Sequence, residues 1–230
     1  MPRTGSTRSG TYALVGAGPG LGMSCARGFG AAGHSVALMP RSTERLDGLV
    51  AALAGEGINA RGYTAGVLDP ASLTAALEAA AEDLGPVEIL QYSPVPRADF
   101  MKPVLATRAT DLDDPLAFSV KGPVTCANAV LPGMRSLGRG TLLFGNGGSA
   151  VRPHADRAIP SIAFAGESAY AAMVHDALAA DRIHAARLVI PGAIRPEAEH
   201  SSPQQALAER LYALHTERDG FRHYDEPLLT

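Results

Sequence analysis

Val15-Gly16-Ala17-Gly18-Pro19-Gly20-Leu21-Gly22 decides how the rest of the chain is read. It follows an apolar run, Tyr12 to Val15. It opens a segment whose apolar residues Leu21, Cys25, Phe29 and Ala32 recur at helical spacing, with Gly33 placed to end the helix. The stretch therefore reads as a strand, a glycine turn and the start of a helix. A turn of this kind aims backbone N–H groups and the positive end of a helix dipole at one point, which suits a pyrophosphate. Glycine lets such a ligand approach the backbone closely.

The spacing of the glycines narrows the reading. A GxGxxG fingerprint beginning at Gly16 needs glycine at position 21, which is Leu21. The pattern GxxxGxG fits instead, through Gly16, Gly20 and Gly22. With that spacing the chain resembles the short-chain dehydrogenase/reductase family over most of its length. The resemblance implies an α/β fold, a single doubly wound parallel sheet in a Rossmann-like three-layer α/β/α arrangement over residues 11–230. It also implies an oxidoreductase that binds its cofactor at Gly16, Gly18, Gly20, Leu21 and Gly22.

The chain's 230 residues, 46% of them hydrophobic, are enough to bury the core of one such domain. A net charge of −3 gives no electrostatic reason to expect nucleic acid or an anionic membrane as partner. Residues 1–10 are polar, carry Arg3 and Arg8, and lack the apolar centre of a secretion signal, so they read as a disordered lead-in. No apolar run approaches the roughly 20 residues of a membrane span. Cys25 and Cys126 both fall in predicted helices and read as small core residues rather than a disulfide. The cytoplasm is the expected compartment.

Downstream, Ser35 to Met39 is a predicted strand. Arg41 to Leu53 is a helix with Ser42 as N-cap and Leu46, Leu49, Val50 and Leu53 as its buried stripe. An acid about 20 residues after the glycine turn would hold a ribose 2′-hydroxyl, whereas an arginine accommodates a 2′-phosphate. This strand runs into Met39-Pro40-Arg41-Ser42, so NADP(H) is expected in preference to NAD(H), with Arg41 and Ser42 on the phosphate. Strands follow at Ile58–Tyr63, Val87–Tyr92, Thr141–Phe144 and Ile183–Ile190, with a short seventh at Phe221–Tyr224. Helices are expected at Pro70–Leu84, capped by Asp69, then at Pro115–Leu137, Ala158–Ala180 and Pro203–Arg218, with a polar connection over Ala98–Asp114. Tyr92 and Ser93, at the carboxyl end of a strand, lie where open α/β sheets bind ligands. Pro191-Gly192-Ala193-Ile194 resembles the family's Pro-Gly segment that folds over the nicotinamide, which implies cofactor contacts from Pro191, Gly192 and Ile194.

The family's catalytic pair is missing. It consists of a Tyr and a Lys four residues later on one helical face, the Lys lowering the phenol pKa so that Tyr can exchange a proton. The only lysines here are Lys102 and Lys121, and the residues four before them, Ala98 and Ala117, are not tyrosines. By alignment the Tyr and Lys positions fall at Ala163 and Glu167, and the family's active-site Asn at Ser119. A carboxylate at 167 would raise a neighbouring phenol's pKa. Candidates for replacement chemistry are Ser149 and His154, in the loop after the fifth strand, and Tyr92. No Cys/His cluster has metal-ligand spacing.

The function implied by the resemblance is an atypical NADP(H)-dependent oxidoreductase acting on a small organic substrate of carbonyl, enone or imine type, in a homodimer or homotetramer. The missing pair keeps a second reading open: a cyclase, isomerase or dehydratase, or a catalytically silent binding protein on the same fold.

Overall fold

The computed structural model describes residues 10–40, 43–191 and 203–224. Its centre is one seven-stranded sheet: β1 (Thr11–Ala17), β2 (Ser35–Pro40), β3 (Ala60–Gly62), β4 (Val87–Tyr92), β5 (Gly140–Gly147), β6 (Ile183–Ile190) and β7 (Arg222–Tyr224). The strands run parallel in the order β3-β2-β1-β4-β5-β6-β7. Parallel neighbours need crossovers, and the helices that supply them cover both faces. One face carries α1 (Leu21–Ala31), α2 (Leu46–Gly55) and α7 (Pro203–Glu217); the other carries α3 (Pro70–Leu84), α5 (Gly122–Leu137) and α6 (Ala158–Leu178).

The alternation of side chains along each strand sorts the two cores. In β1, Tyr12 and Leu14 enter the α1/α7 core, and Ala13 and Val15 the α3/α5 core. The β4 strand does the same with Ile89 against Leu90 and Tyr92. Because both faces are covered, these strands are buried almost throughout. The last helix docks through Leu207, Ala208, Leu211 and Leu214, a stripe at helical spacing, and Tyr212 meets Phe29 edge-on at 5.2 Å.

Several expected boundaries shift. The third strand is only Ala60–Gly62. The predicted helix over Arg41–Leu53 begins as α2 at Leu46, after a 3₁₀ turn at Thr43–Arg45, and continues to Gly55. Ser42, expected to cap it, lies outside the described residues, as does Arg41. Leu53 is buried, while Leu46, Leu49 and Val50 pack half-buried against the core. Asp69 does cap α3, accepting from the N–H groups of Ala71 at 3.0 Å and Ser72 at 3.2 Å. The connection over 98–114 folds into three 3₁₀ turns and the first residues of α4 (Asp113–Leu116). The helix expected over Pro115–Leu137 is interrupted, because a π-helical turn at Ala117–Lys121 separates α4 from α5.

Cys25 and Cys126 are free and buried, and burial pushes both thiols up to about 12. No described helix is long and apolar enough to cross a membrane.

Candidate active site

In the order β3-β2-β1-β4-β5-β6-β7, chain direction reverses its progress across the sheet between β1 and β4. Ligands of doubly wound sheets bind at the carboxyl ends of strands at that point. Gly16 lies there at φ +94°, and a Cβ on it would fall 2.5 Å from the Cα of Pro94, which follows β4. Only glycine lets the two loops meet so closely. A Cβ on Gly18 would have nothing within 4 Å, so this backbone is open to a ligand. Gly20 is the N-cap of α1 and offers no side chain to its first-turn N–H groups, while Gly22 packs on Ala17 of β1.

Two cavities meet over this turn. The first, about 400 Å³, is floored by Gly16, Ala17, Gly18 and Pro19 and reaches Pro40, Glu44, Arg45 and Leu49. The second, about 630 Å³, is bounded by Leu21, Ser93, Asn146, Ser149, Phe164 and Pro191, among others. Pro94 and Val95 line both, so the two form one groove across the carboxyl edge of the sheet.

This geometry divides the residues singled out from sequence. Gly16 and Gly18 line the first cavity; Leu21, Ser93, Ser149 and Pro191 line the second. Ser93 is fixed by a relay in which the Tyr12 hydroxyl donates to Gln91 Oε1 at 2.6 Å and Gln91 Nε2 donates to Ser93 Oγ at 2.9 Å. That bond occupies an acceptor site of Ser93 and leaves its O–H available as a donor. His154 lines neither cavity: its exposed ring accepts from the N–H of Asp156 at 3.2 Å, capping a 3₁₀ turn. Arg41, Ser42, Gly192 and Ile194 lie outside the described residues.

Tyr92 sits beneath the groove, fully buried. Its hydroxyl donates to the carbonyl of Phe118 in the π-helical turn. A π turn breaks the regular ladder and frees a carbonyl, and the phenol satisfies it. Burial pushes this phenol well above its ordinary pKa, with Cys126 and Glu167 adding to the rise.

Where the family's Tyr and Lys would stand, Ala163 and Glu167 are both buried. Glu167 belongs to a polar cluster between α6 and the sheet that the sequence reading did not identify. Arg187 of β6, wholly buried, donates from Nε to Asn146 Oδ1 at 3.1 Å and from Nη1 to Ser168 Oγ. Burial pushes the Glu167 carboxyl up to about 8, against the pull of the Arg187 charge and the neighbouring Asn146 amide. Burial likewise lowers Arg187 to about 10. Asn146 Nδ2, Glu167 Oε1, Arg187 Nη2 and, in the π turn, Ser119 Oγ have no hydrogen-bond partner among the described residues. A charged residue inside the apolar run Ile183–Ile190 was the available sequence signal. Glu44 and Arg45 were also missed, because the expected phosphate contacts stopped at Ser42. Among the described residues, no group of three or more His, Cys, Asp or Glu could hold a metal ion.

Comparison with known proteins agrees with this architecture. The chain is 32% identical over 136 residues to the D-threitol dehydrogenase of Mycolicibacterium smegmatis, an alignment covering 58% of this chain and 51% of that protein. The match thus spans about half the length of that curated relative. A metagenomic short-chain oxidoreductase solved in complex with NADP superposes with a TM-score of 0.82 at 21% identity, covering 98% of this chain and 100% of the other. The L-sorbose reductase of Gluconobacter frateurii, solved with NADPH and L-sorbose, superposes with a TM-score of 0.80 at 18% identity, over 94% and 95% of the two chains. Residues 11–206 match the family model described as short chain dehydrogenase. With the glycine turn, the seven-stranded order and this match together, the chain belongs to the short-chain dehydrogenase family.

Proposed function

We propose that the chain binds NADP(H) along the groove and acts as an atypical oxidoreductase on a small organic substrate of carbonyl, enone or imine type. The observation that carries this reading is the continuity of the two cavities over an uncapped helix N-terminus, with the open backbone of Gly18 in the floor. A pyrophosphate fits there by hydrogen bonding and dipole alike. The first cavity takes the adenosine half, and Arg45 on its wall, with Arg41 nearby in sequence, supplies positive charge for a 2′-phosphate beside Glu44. Two similar oxidoreductases of known structure carry NADP or NADPH.

When bound, the nicotinamide supplies hydride to an electrophilic carbon. The protein's part is to hold the reactants and steady developing charge. Among the described residues, Ser93 Oγ and Ser149 Oγ are the hydroxyl donors on the second cavity's wall, and Ser93 is oriented by Gln91. No residue there is a phenol activated by a lysine, so the substrate must already be strongly electrophilic or take its proton from water or a hydroxyl of the wall. The test is turnover, read as loss of NADPH absorbance with a panel of aldehydes, conjugated enones and preformed iminium ions. Iminium or enone compounds should react faster than simple ketones. No NADPH consumption with any of them contradicts the redox reading.

One observation favours a second reading. The positions of the usual pair are occupied by a buried alanine and a buried acid tied into a structural cluster. A non-redox enzyme or a binding protein would keep the groove and need neither the Tyr nor the Lys.

A further inference from the structure

Among the described residues, the second cavity carries one charged residue on its wall, Arg157, and no acid. Around it the wall is largely apolar, formed by Leu21, Met101, Pro160, Phe164 and Ile190. Arg157 is exposed at the start of α6. Its backbone is fixed, the N–H donating to the His154 carbonyl at 2.9 Å and the carbonyl accepting from Ser161 Oγ at 2.7 Å. Its guanidinium has no ion pair or hydrogen bond among the described residues. The neighbouring acid, Asp156, stands 3.8 Å from the His154 ring and does not line the cavity. Arg27, Arg61, Arg97, Arg135 and Arg139, by contrast, each hold a carboxylate within about 3 Å.

An unpaired guanidinium beside an apolar cavity is a receptor for an organic anion, because its planar fork matches a carboxylate while the walls take the hydrocarbon body. From this we infer that the substrate is an amphipathic carbonyl compound whose distal end is anionic, a keto or formyl carboxylate, and that Arg157 selects it. The inference rests on the proposed redox reading only for the word carbonyl; the anion site itself stands on the cavity.

Two fluorescent probes separate charge from shape: 1-anilinonaphthalene-8-sulfonate, and N-phenyl-1-naphthylamine, which has the same rings without the sulfonate. Both are titrated into the full chain without cofactor. Arg157→Ala should weaken the sulfonate probe about tenfold, the order expected for one charge-assisted contact, and change the neutral probe by less than about twofold. Gly147→Leu, at a cavity position where a Cβ makes only ordinary contact with Phe164, should weaken both. Equal loss of both probes in Arg157→Ala, or no loss of the sulfonate probe, overturns the anion site. So does a Gly147→Leu variant that binds both as before, since the arginine would then act outside the cavity. A parallel titration of Arg157→Ala with NADPH should match the unaltered chain. If the arginine instead holds the cofactor, NADPH affinity falls with that of the sulfonate, which overturns the substrate assignment. If the unaltered chain binds no NADPH while the sulfonate result holds, the redox reading fails and the anion site stands.

Discussion

At Gly16 two constraints coincide: a φ of +94° and a Pro94 Cα that a Cβ would approach to 2.5 Å. Gly16→Ala therefore strains the backbone and forces the β1 and β4 loops apart, at a cost of about 2 kcal/mol or more. A lowered midpoint in urea together with lost cofactor binding is expected; unchanged stability contradicts the close approach. Glu167 offers a second test. Its carboxyl titrates near 8 in the folded chain, against 4.5 for an ordinary glutamate. Between those values the folded state holds a proton that the unfolded state has lost, so this residue makes the protein less stable as pH rises through the window. Glu167→Gln removes that loss. The variant should melt about 5 °C or more above the unaltered protein at pH near 8.5, with little difference near pH 5. An equal difference at both pH values contradicts a raised Glu167. From sequence the glycines could be placed because their constraint is local. The electrostatic coupling of Glu167 to Arg187 could not, since it depends on how α6 lies on β5 and β6. Glu167 itself was placed by alignment, whereas its closeness to the Tyr92 phenol, whose pKa it helps burial and Cys126 to raise, emerges only from the fold.

Among the elements, the segment from α4 to α5 shows most clearly where periodicity runs out. Apolar spacing indicates a helix over residues 115–137, and a helix is present. The π turn inside it depends on a tertiary contact, the Tyr92 hydroxyl on the Phe118 carbonyl. That contact also needs Gly122, where a Cβ would collide with the phenol. Tyr92→Phe keeps the ring and strands a buried carbonyl, for a loss of about 1–3 kcal/mol by chemical denaturation. Cofactor affinity should change little, because Tyr92 lines neither cavity. A large loss of affinity with no loss of stability would return Tyr92 to the site. The strands were more legible than the turns. Six apolar runs and a short seventh became seven strands, whereas the proline-containing stretch 98–114 folds into 3₁₀ turns that carry Met101 to the cavity wall.

Across the whole molecule, buried titrating groups oppose one another. His215 packs among Phe29, His34 and Tyr212 and bonds Thr141 Oγ1 at 2.8 Å; His184 lies against His175. Burial lowers both His215 and His184 from 6.5 to about 4. Below pH 6.5 the unfolded chain takes up protons that these two folded histidines refuse, so stability falls as pH drops toward 4. Glu167 works the other way, losing stability from 4.5 up to 8. Two groups outweigh one below 6.5, and Glu167 acts alone above it, so thermal stability should peak at about pH 6.5. A melting profile still rising between pH 7 and 8.5 contradicts this balance.

In the proposed reading the groove takes a dinucleotide, while neither Lys102 nor Lys121 has a Tyr four residues before it, so cofactor binding is the claim on which the account depends. Calorimetric titration with NADPH, NADP⁺ and NADH, each alone, tests it most directly. Binding that favours the phosphorylated forms, with the preference reduced in Arg45→Ala, is the predicted result. Binding of none of the three, by a chain that melts cooperatively, would contradict it and leave the groove to a different ligand.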